Sequence, residues 1–157
     1  MDILKELYRV TNALVEAQID YAICGGLAVA IHGRPRMTVD IDLLLPADQI
    51  AKAAEVVAAN GYDDVNGWVV LPGNDFGIDR LYRVNKLEGN EFLTLDLLEA
   101  DSESNPVFRD RQKFEINGQV ITVLSRGSLI TMKLNTGRAQ DKHDAELLQR
   151  DIADESN

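Results

Sequence analysis

The segment Val39-Asp40-Ile41-Asp42-Leu43-Leu44-Leu45 reads as a β-strand, ended by Pro46, with two carboxylates inside an otherwise apolar run. Residues i and i+2 of a strand leave the backbone on the same side. Asp40 and Asp42 therefore share one face, while Ile41, Leu43 and Leu45 point to the core on the other. The Cα atoms of the two acids are then about 6.5–7 Å apart, and flexible carboxylates can converge further. Such neighbours repel one another and resist desolvation, so folding gains nothing from placing them there. Either this is an edge strand with a wet polar face, or the acids are gathered to hold a divalent cation. Mg²⁺ favours one or two carboxylates plus water and phosphate oxygens.

Leu95-Asp96-Leu97-Leu98 sets a third lone acid in an apolar strand. Taken by itself, Asp96 fits a structural role. On a strand neighbouring the Asp40/Asp42 pair it would complete a three-carboxylate site, able to hold two metal ions about 3.5–4 Å apart.

The elements around these strands follow from periodicity and turn chemistry. Ile3, Leu7, Val10 and Leu14 have helical spacing and predict an amphipathic N-terminal helix. Tyr21–Cys24 is a short strand stopped by Gly25-Gly26, and Leu27–His32 a short helix ended by Gly33. Ala47–Ala59 predicts a helix capped at Asn60-Gly61. Strands are expected over Trp68–Leu71, Asp79–Val84 and Glu91–Leu98, and Lys113–Ile116 and Gln119–Leu124 flank the hairpin signal Asn117-Gly118. Ser125 caps a helix through about Asn135, and a last helix spans about Ala139–Arg150. This order implies an α/β (α+β) protein, a mixed sheet with helices packed on it and two C-terminal helices. No repeat, low-complexity tract or linker divides the chain, so residues 1–157 are expected to form one domain.

Composition narrows the function classes. There are 26 acidic residues against 16 Lys and Arg, a net charge of −10, which argues against general DNA or other sequence-independent nucleic-acid binding. A lone cysteine, Cys24, excludes an intramolecular disulfide and any multi-Cys zinc cluster, and fits a reducing compartment. No apolar run approaches the ~20 residues of a membrane span, and the N-terminus is not a secretory signal, so a cytoplasmic location without membrane contact is expected.

Gly25-Gly26, between a strand and a helix, lets backbone N–H groups approach a phosphate, although a tight structural turn explains it equally. It is neither a Walker loop nor a dinucleotide fingerprint. Arg34, Arg36 and Thr38 precede the acidic strand and could offer charge and a hydroxyl to phosphates, or form an exposed turn. His32 is read as a capping or packing histidine.

Together, Cys24-Gly25-Gly26-Leu27-Ala28 and His32-Gly33-Arg34-Pro35-Arg36-Met37-Thr38-Val39-Asp40-Ile41-Asp42-Leu43 resemble the polymerase-β-type nucleotidyltransferase superfamily. The similarity is to its AbiEii/MenT-like branch of toxin–antitoxin and abortive-infection systems, and in the same region to lincosamide-type antibiotic nucleotidyltransferases. The stretch Leu129–Asp144, with Lys133, Arg138, Asp141 and Asp144, resembles the branch's helical K…R…D-x-x-D element. The resemblance spans about Tyr21–Leu148, with two departures. Many members have Gly-Ser where this chain has Gly25-Gly26, and no counterpart of a large acceptor-gripping helical domain is expected.

The resemblance implies a metal-dependent transfer of NMP from an NTP to an acceptor hydroxyl, with pyrophosphate released. Asp40, Asp42 and Asp96 would bind Mg²⁺ or Mn²⁺, and Asp96 would also help deprotonate the acceptor. Gly25, Gly26, Arg36, Thr38 and Lys133 would hold the nucleotide, with Lys133 on its phosphates, Asp141 supporting the site and Asp144 orienting neighbours. The acceptor could be tRNA, a protein or a small molecule, and a toxin would have a cognate antitoxin. An antibiotic-modifying nucleotidyltransferase, a catalytically inactive scaffold or interaction module and a metal-dependent phosphohydrolase stay open as alternatives.

Overall fold

The structure, a computed structural model, describes residues 1–34, 37–134, 136 and 138–155. Helix α1 (Ile3–Glu16) starts where the Asp2 carboxylate accepts hydrogen bonds from the backbone N–H groups of Leu4 and Lys5. It buries Leu7, Val10 and Leu14, the predicted stripe. Strand β1 (Ala22–Cys24) leads into α2 (Gly25–Ile31), which begins at Gly25 and not, as the sequence predicts, at Leu27. Strand β2 (Asp40–Pro46) is followed by a 3₁₀ turn (Ala47–Gln49) and α3 (Ile50–Ala58).

Three strands follow, β3 (Asp64–Val70), β4 (Arg80–Glu88) and β5 (Glu91–Ala100). The sequence predicts shorter versions of the first two. β3 is an exposed edge strand with a register irregularity between Val65 and Gly67, so its first half carries no alternating apolar signal. The end of β4 is polar because its side chains find partners. Asn85 accepts a hydrogen bond from the Thr94 hydroxyl at 2.8 Å and Lys86 donates to Glu6 at 2.7 Å.

A short helix absent from the sequence reading, α4 (Pro106–Arg109), is capped by Asn105, whose Oδ1 accepts from the N–H groups of Val107 and Phe108. The hairpin β6 (Arg111–Ile116) and β7 (Gln119–Leu124) turns on Asn117 and Gly118, both at positive φ, as a two-residue turn of this kind requires. Helix α5 (Arg126–Leu134) opens at Ser125, whose Oγ accepts from Ser128 N–H at 3.1 Å, and packs on α6 (Ala139–Glu155).

The seven strands form one mixed sheet in the order β3-β4-β5-β2-β1-β7-β6. The acidic strand is therefore the central one and not an edge, paired in parallel with β5 and antiparallel with β1. On one side of the sheet Ile41, Leu43, Leu45, Leu95 and Leu97 are fully buried. Helices α1 and α3 contact each other. Glu6 of α1 receives Lys86 and, at 3.1 Å, the Tyr62 hydroxyl from just beyond α3. Asp40, Asp42 and Asp96 project from the opposite side. No helix among the described residues is long and apolar enough to cross a membrane.

Candidate active site

Register decides the geometry of the acids. In the parallel β2–β5 pair Asp42 lies beside Asp96 and Asp40 beside Thr94, which sets three carboxylates on adjacent strands and one face. Burial, followed by repulsion from Asp96 and Asp40, pushes the Asp42 carboxyl up to about 7. Burial and Asp96 also raise Asp40. Among the described residues neither Asp40 nor Asp42 has a Lys, Arg or His in salt-bridge contact.

Gly25 abuts Asp42 where β1 turns into α2. Its φ is +66°, and a Cβ built on it would sit 2.1 Å from Asp42 Oδ2. Backbone handedness and the neighbouring carboxylate both demand glycine here. Gly26 is partly buried and outside the cavity lining.

Arg83 of β4 was not singled out by sequence. Its Nε donates to Asp96 Oδ1 at 2.8 Å and its Nη2 to Oδ2 at 2.9 Å, a bidentate fork that engages both oxygens. Its signal lies in the turn: Gly89-Asn90 pairs Glu88 with Glu91, and counting back along the two strands sets Arg83 opposite Asp96.

Lys133 is buried and tied down, with Nζ 3.1 Å from Asp141 Oδ1 and 3.0 Å from Asp144 Oδ2. Asp141 Oδ2 also accepts from the Thr136 hydroxyl and from Arg138 Nε, each at 2.7 Å. Burial works to raise the Asp141 carboxyl, but the Thr136 hydroxyl, Lys133 and Arg138 together hold it below its usual range. Of the residues that the resemblance assigns to the nucleotide and to site support, Lys133, Asp141 and Asp144 thus form one ion cluster, joined by Arg138.

A cavity of about 370 Å³ joins these parts. Asp40, Asp42, Asp96 and Arg83 line it from the sheet, Lys133, Arg138 and Asp141 from α5 and α6, and Leu71, Phe76 and Ile78 from the β3–β4 connection. Asn74 shapes that connection, donating to the Ile78 carbonyl at 2.7 Å and accepting from the Phe76 and Ile78 N–H groups.

The other expected residues lie elsewhere. The Thr38 hydroxyl turns back to the Asp40 carbonyl at 3.4 Å and does not line the cavity. Arg34 is forked onto Asp151 of α6 at 3.0 and 2.6 Å. Arg36 lies outside the described residues. His32 packs edge-on against Phe114 and contacts the Leu124 carbonyl, the packing role expected of it.

The donor set fits a hard divalent cation in part. Asp40 and Asp42 offer oxygens whose mutual repulsion a cation would relieve. Asp96 is engaged by Arg83, and among the described residues no three His, Cys, Asp or Glu side chains converge around one point.

A family model described as aminoglycoside-2''-adenylyltransferase matches residues 6–148. No curated protein matches the sequence significantly. ANT(2'')-Ia, solved in complex with adenylyl-2''-tobramycin, superposes with a TM-score of 0.65 at 16% identity, covering 99% of this chain and 92% of its own. The lincosamide antibiotic adenylyltransferase LnuA, solved with lincomycin bound, gives 0.64 at 16% identity, covering 92% of this chain and 95% of its own. TM1012 from Thermotoga maritima, a nucleotidyltransferase by assignment, gives 0.63 at 16% identity, with 98% and 94% covered.

Proposed function

The chain belongs to the aminoglycoside-2''-adenylyltransferase family, and from that premise we propose that it is a divalent-metal-dependent nucleotidyltransferase. It moves an NMP group from an NTP to an acceptor hydroxyl and releases pyrophosphate. The observation that carries this reading is the placement of Asp42 beside Asp96 across two parallel strands, with Asp40 on the same face of one cavity.

Asp40 and Asp42 would hold the metal, with Asp96 joining them. A divalent ion in such a site supplies charge stabilisation to phosphate oxygens and to the leaving group. The acceptor oxygen bonds to the α-phosphorus, the bond from that phosphorus to the bridging oxygen breaks, and pyrophosphate leaves with the bonding electrons. The acceptor proton passes to a carboxylate oxygen of the cluster, the role assigned to Asp96. Gly25 keeps the backbone close to Asp42, and the Lys133–Asp141–Asp144 cluster fixes the α5–α6 wall against which the nucleotide lies. Gly26 and Thr38 would act only through the backbone beside this site.

The finer reading is adenylylation of a hydroxylated antibiotic, with ATP as donor. It is supported by the family and by the likeness to ANT(2'')-Ia and LnuA. The wall of Leu71, Phe76 and Ile78 beside the carboxylates suits an acceptor that offers a hydroxyl on a carbon framework. The family match carries nothing for a toxin or a cognate antitoxin.

The test is ATP labelled in its α-phosphate, with Mg²⁺ or Mn²⁺, against tobramycin, lincomycin, tRNA and protein. Label on an acceptor hydroxyl, equimolar pyrophosphate, and loss of both in the Asp40→Asn/Asp42→Asn variant are expected. Release of free phosphate would identify a phosphohydrolase instead. No transfer, together with no rise in melting temperature on adding Mg²⁺ and ATP, would leave a non-catalytic module.

A further inference from the structure

We infer that Arg83 is a positioning residue that occupies Asp96 in the nucleotide-free protein and competes with the divalent cation for that carboxylate. The inference rests on the metal-dependent reading above and goes beyond it, because it assigns a resident counter-cation to the site.

Three observations carry it. First, the fork from Arg83 takes both Asp96 oxygens, at 2.8 and 2.9 Å, which leaves the third carboxylate engaged while Asp40 and Asp42 stand without a salt-bridge partner among the described residues. A cation that recruited Asp96 would share its oxygens with the guanidinium and be repelled by its positive charge, so loosening the fork favours the cation. Second, the two partners differ in freedom. The Asp96 side chain is only 5% exposed, whereas that of Arg83 is 38% exposed and lines the cavity. Asp96 meets solvent only where it lines the cavity, whereas the guanidinium can swing into that cavity without unfolding β4. Third, the pair opposes the desolvation cost of an acid at the centre of the sheet. An unpaired buried charge is strongly destabilising, and Arg83 supplies the counter-charge beside Asp96. A divalent cation at the cluster would take over that role.

A comparable fork exists on the same strand with a different setting. Arg80 binds Glu99 at 3.1 Å through Nε and through Nη2. Its side chain projects from the other side of β4, stacks over Trp68 and does not line the cavity. It therefore serves as a control with the same charge and the same bond type.

The experiment measures Mn²⁺ binding at pH 8 without nucleotide, by titration calorimetry on the full chain. Arg83→Gln should bind Mn²⁺ about tenfold more tightly than the wild type, the size expected for release from one charge-assisted pair. Arg83→Lys, which keeps the charge and loses the fork, should fall between. Arg80→Gln should match the wild type, and adding Asp96→Asn to Arg83→Gln should abolish the gain. Equal or weaker Mn²⁺ binding by Arg83→Gln would overturn the inference alone and leave Arg83 a structural partner of Asp96. Equal gains in Arg83→Gln and Arg80→Gln would overturn it too, by reducing the effect to net charge. Absence of Mn²⁺ binding in every variant, with or without ATP, would instead remove the metal-dependent reading and the inference with it. Should Arg83→Gln not fold, Arg83→Lys against the wild type carries the same comparison.

Discussion

Replacing Asp42 by Asn should stabilise the protein, and by an amount that depends on pH. The Asp42 carboxyl sits at about 7 in the folded chain, raised from 3.8 by burial and by the like charges of Asp96 and Asp40. Between those two values the native state holds a proton that the unfolded state has released. Stability contributed by this site therefore falls as pH rises from about 4 to about 7. The full gap is about 3 pH units, which at 1.36 kcal/mol per unit sets a ceiling of about 4 kcal/mol. Asn carries no charge at any pH, and its amide can donate to Asp96 as the protonated acid does. The advantage of Asp42→Asn over the wild type should be near zero at pH 4 and approach that ceiling at pH 8. For a chain of this size it corresponds to a rise in melting temperature of up to roughly 8–16 °C. Chemical denaturation of both proteins at pH 5, 6, 7 and 8 without metal measures it. A difference that does not change with pH, or a variant less stable than the wild type at pH 8, would refute the claim that Asp42 is an uncompensated buried acid. Adding Mg²⁺ and ATP should reverse the order, since only the wild type gains from the ligand.

Gly25→Ala should destabilise by more than the roughly 1–2 kcal/mol of a left-handed non-glycine residue, because its Cβ also overlaps Asp42. Adding Asp42→Ala should recover the part due to overlap, and urea unfolding of the single and double variants separates the two. Lys133→Met should destabilise by up to about 3 kcal/mol, since Asp141 and Asp144 lose the buried cation they share while Asp141 keeps Arg138 and Thr136 and Asp144 keeps Gln140. A change below about 0.5 kcal/mol in urea unfolding would show that Arg138 and Thr136 suffice to hold Asp141, against a bridging role for Lys133.

Most elements were legible in the sequence because period and turn chemistry agree locally. The stripe of α1, the Asn117-Gly118 turn and the Ser125 cap each depend on residues a few positions apart. The losses occurred where structure depends on distant partners. The polar end of β4 is a strand because Asn85 and Lys86 meet Thr94 and Glu6, and no local pattern encodes that. The site divides in the same way. Asp40 and Asp42 on one face follow from strand period alone, while the nearness of Asp96 is a matter of strand order, which the sequence left open. Lys133 and Asp141 are singled out by resemblance, but their mutual ion pair depends on how α5 packs against α6. Arg83 was missed because its importance lies wholly in what stands across from it.

The charges around the cavity explain why an acidic chain can still present a site for a polyphosphate. On the α5–α6 side, Asp141 and Asp144 meet Lys133 and Arg138, two acids against two bases in direct contact. Among these four residues the charges balance. On the sheet side, the described residues that line the cavity set Asp40, Asp42 and Asp96 against Arg83, which pairs with Asp96. With all three ionised, these described residues carry an excess of two negative charges; burial and the like charges of Asp96 and Asp40 raise the Asp42 carboxyl to about 7, which favours retention of a proton there. One divalent cation would cancel the excess and let that proton go. The overall −10 is mostly spread over the rest of the chain, so it says little about this cavity. Affinity for a triphosphate should then depend on the cation and not on the protein's net charge. Replacing exposed acids remote from the cavity, such as Glu55 and Asp63, should leave nucleotide affinity unchanged at physiological salt, where charges beyond about 8 Å are screened.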